Sequence, residues 1–69
     1  MIKLNETSKF QLFCLENYKT TKGISGKEAL NDFRTFQVFD FLSNHFEVLH
    51  TQGKTYIISD INQYIKNRE

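Results

Sequence analysis

The sequence predicts a small, mostly α-helical single domain over residues 1–69. It has about four helices, with a short β-hairpin between the third and the fourth, the order of parts found in a winged helix. Three observations lead there. Apolar residues in the first two-thirds of the chain recur at helical spacing and follow helix-capping signals. A polar, glycine-containing stretch then separates Val48-Leu49 from Tyr56-Ile57-Ile58, the pattern of two strands and a turn, with Gly53 free to take the positive φ of a tight reversal. Finally, 69 residues with seven Phe, three Tyr, no Trp and no Pro form a core from a few bulky rings. A chain of this length has a marginal stability of about 3–5 kcal/mol, which helix packing or association must supply.

Met1 to Asn5 reads as a loose lead-in. Ser8-Lys9-Phe10-Gln11 fits a Ser-x-x-Gln capping box, with Asn5 and Thr7 as alternative N-caps. Phe10, Phe13, Cys14 and Tyr18 then form an apolar stripe that Leu12 and Leu15 widen, placing Cys14 as a buried, inert thiol. Gly23 occupies the C′ position of this first helix. Ser25-Gly26-Lys27-Glu28 is a second capping box, with Ile24 placed to staple onto Ala29, and Ala29, Leu30 and Phe33 face inward. Arg34-Thr35 reads as a break, with Thr35 capping a third helix that carries Phe36, Val38, Phe39, Phe41, Leu42 and Phe46. After the hairpin, Ser59-Asp60 starts a fourth helix with Ile61, Tyr64 and Ile65 on one face. The expected core is Phe10, Phe13, Leu30, Phe33, Val38, Leu42, Leu49, Ile57, Ile61 and Ile65.

Composition argues against most chemistry. The net charge is +1 with both signs scattered, which favours neither nucleic acid nor an acidic membrane. The longest apolar runs last only a few residues, so no membrane span is expected. Cys14 is the single cysteine, so no internal disulfide forms; with no leader-like segment, this fits a reducing cytoplasm. His45 and His50 lack partners at metal-ligand or base–nucleophile spacing: His45 reads as a helix end and His50 as a residue fixing the turn. No pair of carboxylates is spaced as a general acid and base, and the three glycines are too scattered to cradle a phosphate. The chain therefore reads as non-enzymatic, with no catalytic residue, metal or cofactor.

The third helix suggests a function, since its rings span more of the circumference than one core contact covers. Val38, Leu42 and Phe46 form one row for the core, leaving Phe36 and Phe41, with Tyr18 and Tyr64 beside them, to bind a protein partner or a second copy. The alternative is a winged-helix-like DNA-binding regulator. Charge speaks against it: the third helix carries Asp40 and no Lys or Arg, and the wing offers only Lys54.

The runs Ser25-Gly26-Lys27-Glu28 with Phe33, Leu49-His50-Thr51-Gln52-Gly53, and Asp60-Ile61 resemble a family of short bacterial proteins, catalogued as domain of unknown function number 3791. The resemblance spans about Lys9 to Ile65, and Leu49, His50, Thr51, Gly53 and Asp60 are its motif, without an assigned role. Where that family usually has Tyr late in the aromatic helix this chain has Phe46, which weakens any case for a catalytic hydroxyl there. The resemblance implies a small cytoplasmic bacterial protein of clostridial or similar gut type. It also implies neighbours that are ADP-ribosyltransferase-like toxins, and hence an antitoxin or accessory role.

Overall fold

Helix-forming spacing persists well beyond the first half of the chain. The computed structural model describes residues 6–69, and the lead-in Met1–Asn5 lies outside them. Five helices follow in order: α1 (Glu6–Lys22), α2 (Gly26–Thr35), α3 (Val38–Asn44), the single turn α4 (Phe46–Leu49) and α5 (Lys54–Arg68). The first packs against α2, α3 and α5, and α3 is also in contact with α2, α4 and α5. Among the described residues no helix is long and apolar enough to cross a membrane.

The corner between α1 and α2 forms as its residues dictate. Gly23 takes φ +66°, its N–H donates to the Thr20 carbonyl and the Ile24 N–H reaches back to that of Lys19, both at 3.2 Å. These two bonds are a Schellman closure, which satisfies carbonyls that the helix end leaves open. Two residues later Ser25 caps α2: its hydroxyl accepts from the Glu28 N–H at 3.1 Å, and the Glu28 carboxylate accepts from the Ser25 N–H at 3.0 Å. The capping box read at Ser25 is thus present in both halves.

Other boundaries differ from the sequence reading. At Glu6 the chain is already helical, so Ser8 and Thr7 lie inside α1 and do not start it; the Asn5 alternative falls outside the described residues. Thr35 ends α2, where it was expected to cap the next helix, and the cap position of α3 is Gln37 in the left-handed conformation (φ 56°, ψ 42°). Phe36 therefore lies in the connection, and Phe46 lies beyond a break at His45, in α4. The aromatic helix expected to run from Phe36 to Phe46 is two short helices.

The β-hairpin is absent: among the described residues there is no strand, and with the hairpin goes the wing of a winged helix. Val48 and Leu49 belong to α4, while Tyr56, Ile57 and Ile58 lie in the first turns of α5, which starts before the expected Ser59-Asp60. Gly53 has φ −73° and ψ 161°, an extended N-cap with no left-handed reversal. The physical reason is periodicity. Ile57, Ile58, Ile61 and Ile65 fall at i, i+1, i+4 and i+8, and all four are buried. A helix buries the whole set, and that gain overrides the β propensity of isoleucine.

Phe10, Phe33, Val38, Leu42, Leu49, Ile57, Ile61 and Ile65 are buried as expected, joined by Cys14, Tyr18, Ala29 and Ile58. Phe13 and Leu30 are not core residues, being 47% and 38% exposed. On α1 the buried row is Phe10, Cys14, Tyr18, a strict i, i+4, i+8 line, and Phe13 lies about 100° off it.

A substitution at Gly53 separates a helix cap from a hairpin turn. An added Cβ there meets nothing within 4 Å. Gly53→Ser is expected to hold or raise stability by a few tenths of a kcal/mol in urea unfolding, since its hydroxyl caps the open N–H groups of α5. A loss of 1 kcal/mol or more would favour the positive-φ turn.

Candidate protein-binding surface

The four rings singled out from sequence have different fates. Tyr18 is withdrawn from the surface: it is 3% exposed, its ring lies 5.2 Å from that of Phe33, and its hydroxyl donates to Asp32 Oδ2 at 2.8 Å. It is a core residue joining α1 to α2 and is unavailable as a docking ring. Phe36, Phe41 and Tyr64 are half-buried and packed against the core.

Tertiary structure brings two of these three together. Phe41 of α3 and Tyr64 of α5 stack with centroids 4.2 Å apart and planes 22° apart. The row continues at both ends, with His45 4.9 Å from Phe41 and the Arg68 guanidinium 4.6 Å from the Tyr64 centroid. Tyr64 also donates its hydroxyl to the Gln37 carbonyl at 3.3 Å. The spacing behind the row is helical: Phe41 and His45 are four apart on α3, as are Tyr64 and Arg68 on α5. Such stacks contribute about 0.5–1.5 kcal/mol per aromatic pair beyond the area they bury. Phe36 is in the connection that carries Gln37, beside the Arg68 end of this row, where Thr35, Phe36, Gln37 and Arg68 line a shallow groove.

The motif residues form a connector. Leu49 is a core residue at 1% exposure. His50 stacks on Phe46 (4.4 Å, 9°) and its Nδ1 lies 2.7 Å from the Phe46 carbonyl, an arrangement that requires Nδ1 to carry the proton. Thr51 Oγ1 donates to the Val48 carbonyl at 2.9 Å, and the Gln52 N–H to that of Leu49 at 2.9 Å. Gly53 then caps α5. Leu-His-Thr-Gln-Gly thus ends one helix and begins the next, closing the carbonyls of α4 with its own side chains. Asp60, read as part of the start of the last helix, is a partly buried residue in the middle of α5.

Chemically reactive groups are held back. Cys14 is fully buried, and burial pushes its thiol from 9.0 up to about 12. The Tyr18 hydroxyl is also pushed up, first by burial and then by its hydrogen bond to Asp32 and the negative charges of Asp32 and Glu69. His45 and His50 are each engaged with a ring of their own segment, Phe41 and Phe46. Sequence reasoning also missed exposed apolar residues: Leu12 and Phe13 on α1, Leu30 on α2, Val48 on α4 and Tyr56 on α5 are 38–60% exposed. Leu12 and Phe13 lie off the buried Phe10–Cys14–Tyr18 row, but which row of α1 is covered is set by the helices packed against it.

Residues 9–68 match the model of a family described as protein of unknown function (DUF3791). No curated protein and no solved structure matches the chain.

The two raised acids set the alkaline limit of stability. In the unfolded chain the thiol and the phenol lose their protons near 9 and 10, while the folded chain keeps them. Stability is therefore full below about pH 9 and falls as pH rises from there, the folded state being the one that binds more protons. Cys14→Ala should flatten the first part of that fall in urea titrations at pH 8, 9 and 10. At pH 7, Tyr18→Phe should cost roughly 1.5–3 kcal/mol, since it leaves the part-buried Asp32 carboxylate without its donor.

Proposed function

We propose that this chain, which belongs to the DUF3791 family, is a non-enzymatic protein-binding module. The observation that carries the reading is the row His45–Phe41–Tyr64–Arg68 with Phe36 beside it. It is a set of half-buried rings at the α3–α5 edge, held in place by stacking and ending in a cation. Aromatic rings and arginine are the side chains on which interfaces most depend, and rings already ordered cost little further entropy when a partner covers them. The exposed Leu12, Phe13, Leu30, Val48 and Tyr56 add apolar surface in a chain with a small core. The buried thiol and the ring-engaged histidines support a non-catalytic role.

On this reading the module is bacterial and cytoplasmic. It serves as antitoxin or accessory partner of an ADP-ribosyltransferase-like toxin, the context its family resemblance implies, and gains stability by associating. DNA binding is the weaker reading. The short α3 that would enter a groove carries Asp40 and no Lys or Arg, and no hairpin stands beside it among the described residues.

Sedimentation of the purified protein, alone and with the product of its genomic neighbour, tests the module. An assembly larger than a monomer is expected in at least one of the two samples, weakened by Phe36→Ser and Phe41→Ser but unchanged by Thr21→Ser. A monomer under both conditions sinks the proposal. Duplex DNA should bind no tighter than a non-specific ~10⁻⁴–10⁻⁶ M at physiological salt, and a footprint at nanomolar protein would restore the DNA reading.

A further inference from the structure

The connection between α2 and α3 and the last turn of α5 flank a shallow groove lined by Thr35, Phe36, Gln37 and Arg68. None of the four is acidic; exposed Arg34 precedes Thr35 in the chain and exposed Glu69 follows Arg68. Among the described residues the one ion pair joins Lys19 to Glu16, so no carboxylate of this chain occupies Arg68. Its guanidinium carbon instead lies over the Tyr64 ring, 4.6 Å from the centroid. A guanidinium carries five N–H donors, more than a contact between its carbon and a ring face can engage. An arginine held this way keeps its fork free for a two-pronged hydrogen bond to a carboxylate.

Position is held as well as charge. Tyr64 is pinned between the Phe41 ring and the Gln37 carbonyl, so the platform under Arg68 belongs to the tertiary structure. Gln37 itself is in a left-handed conformation unusual for a residue with a side chain, the kind of local strain that collects at binding sites. Phe36 supplies a half-buried apolar wall in the same groove.

We propose that this groove docks an acidic segment of a partner protein, with Arg68 taking a carboxylate and Phe36 receiving an adjoining apolar side chain. The proposal rests on the reading of the domain as a protein-binding module and specifies the chemistry of what it binds. An acidic peptide fits better than a nucleic acid: the groove offers one positioned cation and an apolar wall, whereas a phosphate backbone is held by a run of cations.

The test is titration of the isotope-labelled full chain, followed by amide shifts in nuclear magnetic resonance. The probes are a synthetic blocked peptide of alternating Asp and Leu, its Asn-for-Asp counterpart and a thymidine oligonucleotide. Saturable shifts at residues 35–37 and 64–68 are expected with the acidic peptide, with affinity roughly tenfold or more lower for the Asn counterpart. Arg68→Gln, an exposed change that leaves the core intact, should bring the same loss, Arg68→Lys a smaller one, and Lys66→Gln little. Absence of binding, an equal response in Arg68→Gln, or tighter binding of the oligonucleotide would each overturn the acidic-segment assignment. The module reading would survive any of these if sedimentation still shows an assembly, so the two failures are distinguishable.

Discussion

Phe33 is where three helices meet, and the rest of the fold depends on it. Its side chain is the largest of those fully buried, and its ring lies 5.2 Å from Tyr18 of α1 and 5.2 Å from Phe39 of α3. A chain of 69 residues buries only about 60% of its unfolded surface, so its core must come from a few large side chains in contact with several elements at once. Tyr18 adds a polar tie to the same place through Asp32, one residue before Phe33. A second tie lies about two turns nearer the N-terminal end of α1, where Gln11 Nε2 donates to the Phe39 carbonyl at 2.9 Å and to Ser43 Oγ at 2.8 Å. Between them these contacts set α1 and α3 on either side of α2's one central ring.

With the helices so placed, the connections have to be short, and each solves its helix ends differently. Gly23 and Ser25 close one helix and open the next within three residues, using a left-handed glycine and a reciprocal cap. Gln37 makes the second turn without a glycine, and the strain of its backbone is offset in part by the Tyr64 hydroxyl on its carbonyl. His50 and Thr51 close α4 with side-chain bonds, and Gly53 opens α5. The middle connection lies at the surface beside α5, and there the cation-ended aromatic row forms. A structural constraint of the fold and a candidate interface thus share the same residues.

Membership of the DUF3791 family assigns no activity to that interface, and association is the reading we propose for it. The thiol is buried and its pKa raised. Each histidine is engaged with a ring four residues before it in the chain, Phe41 for His45 and Phe46 for His50. Beside its many charged and polar residues the surface carries exposed Leu12, Phe13, Leu30, Val48 and Tyr56 and, at Arg68, a cation over an aromatic ring.

Local signals in the sequence determined whatever depends on neighbouring residues alone. The Gly23 end, the Ser25 cap, the His45 end and most of the core row could be read directly, because capping and 3.6-residue periodicity involve residues three or four apart, whereas the fold class was read with a hairpin that does not form among the described residues. The LHTQG stretch was legible as punctuation, but its direction was not: a polar glycine-containing run serves a hairpin or a helix start equally well. What chose between them was where Ile57, Ile58, Ile61 and Ile65 had to go, and that depends on α1 and α3. The same limit explains Phe13 and Leu30, apolar at plausible spacing yet exposed, and Tyr18, read as a docking ring yet buried against Phe33. A helix states which residues share a face, and only its neighbours decide which face is covered. The Phe41–Tyr64 stack joins residues 23 positions apart on different helices (64 − 41), a distance over which no spacing rule carries, so only the tertiary structure decides it.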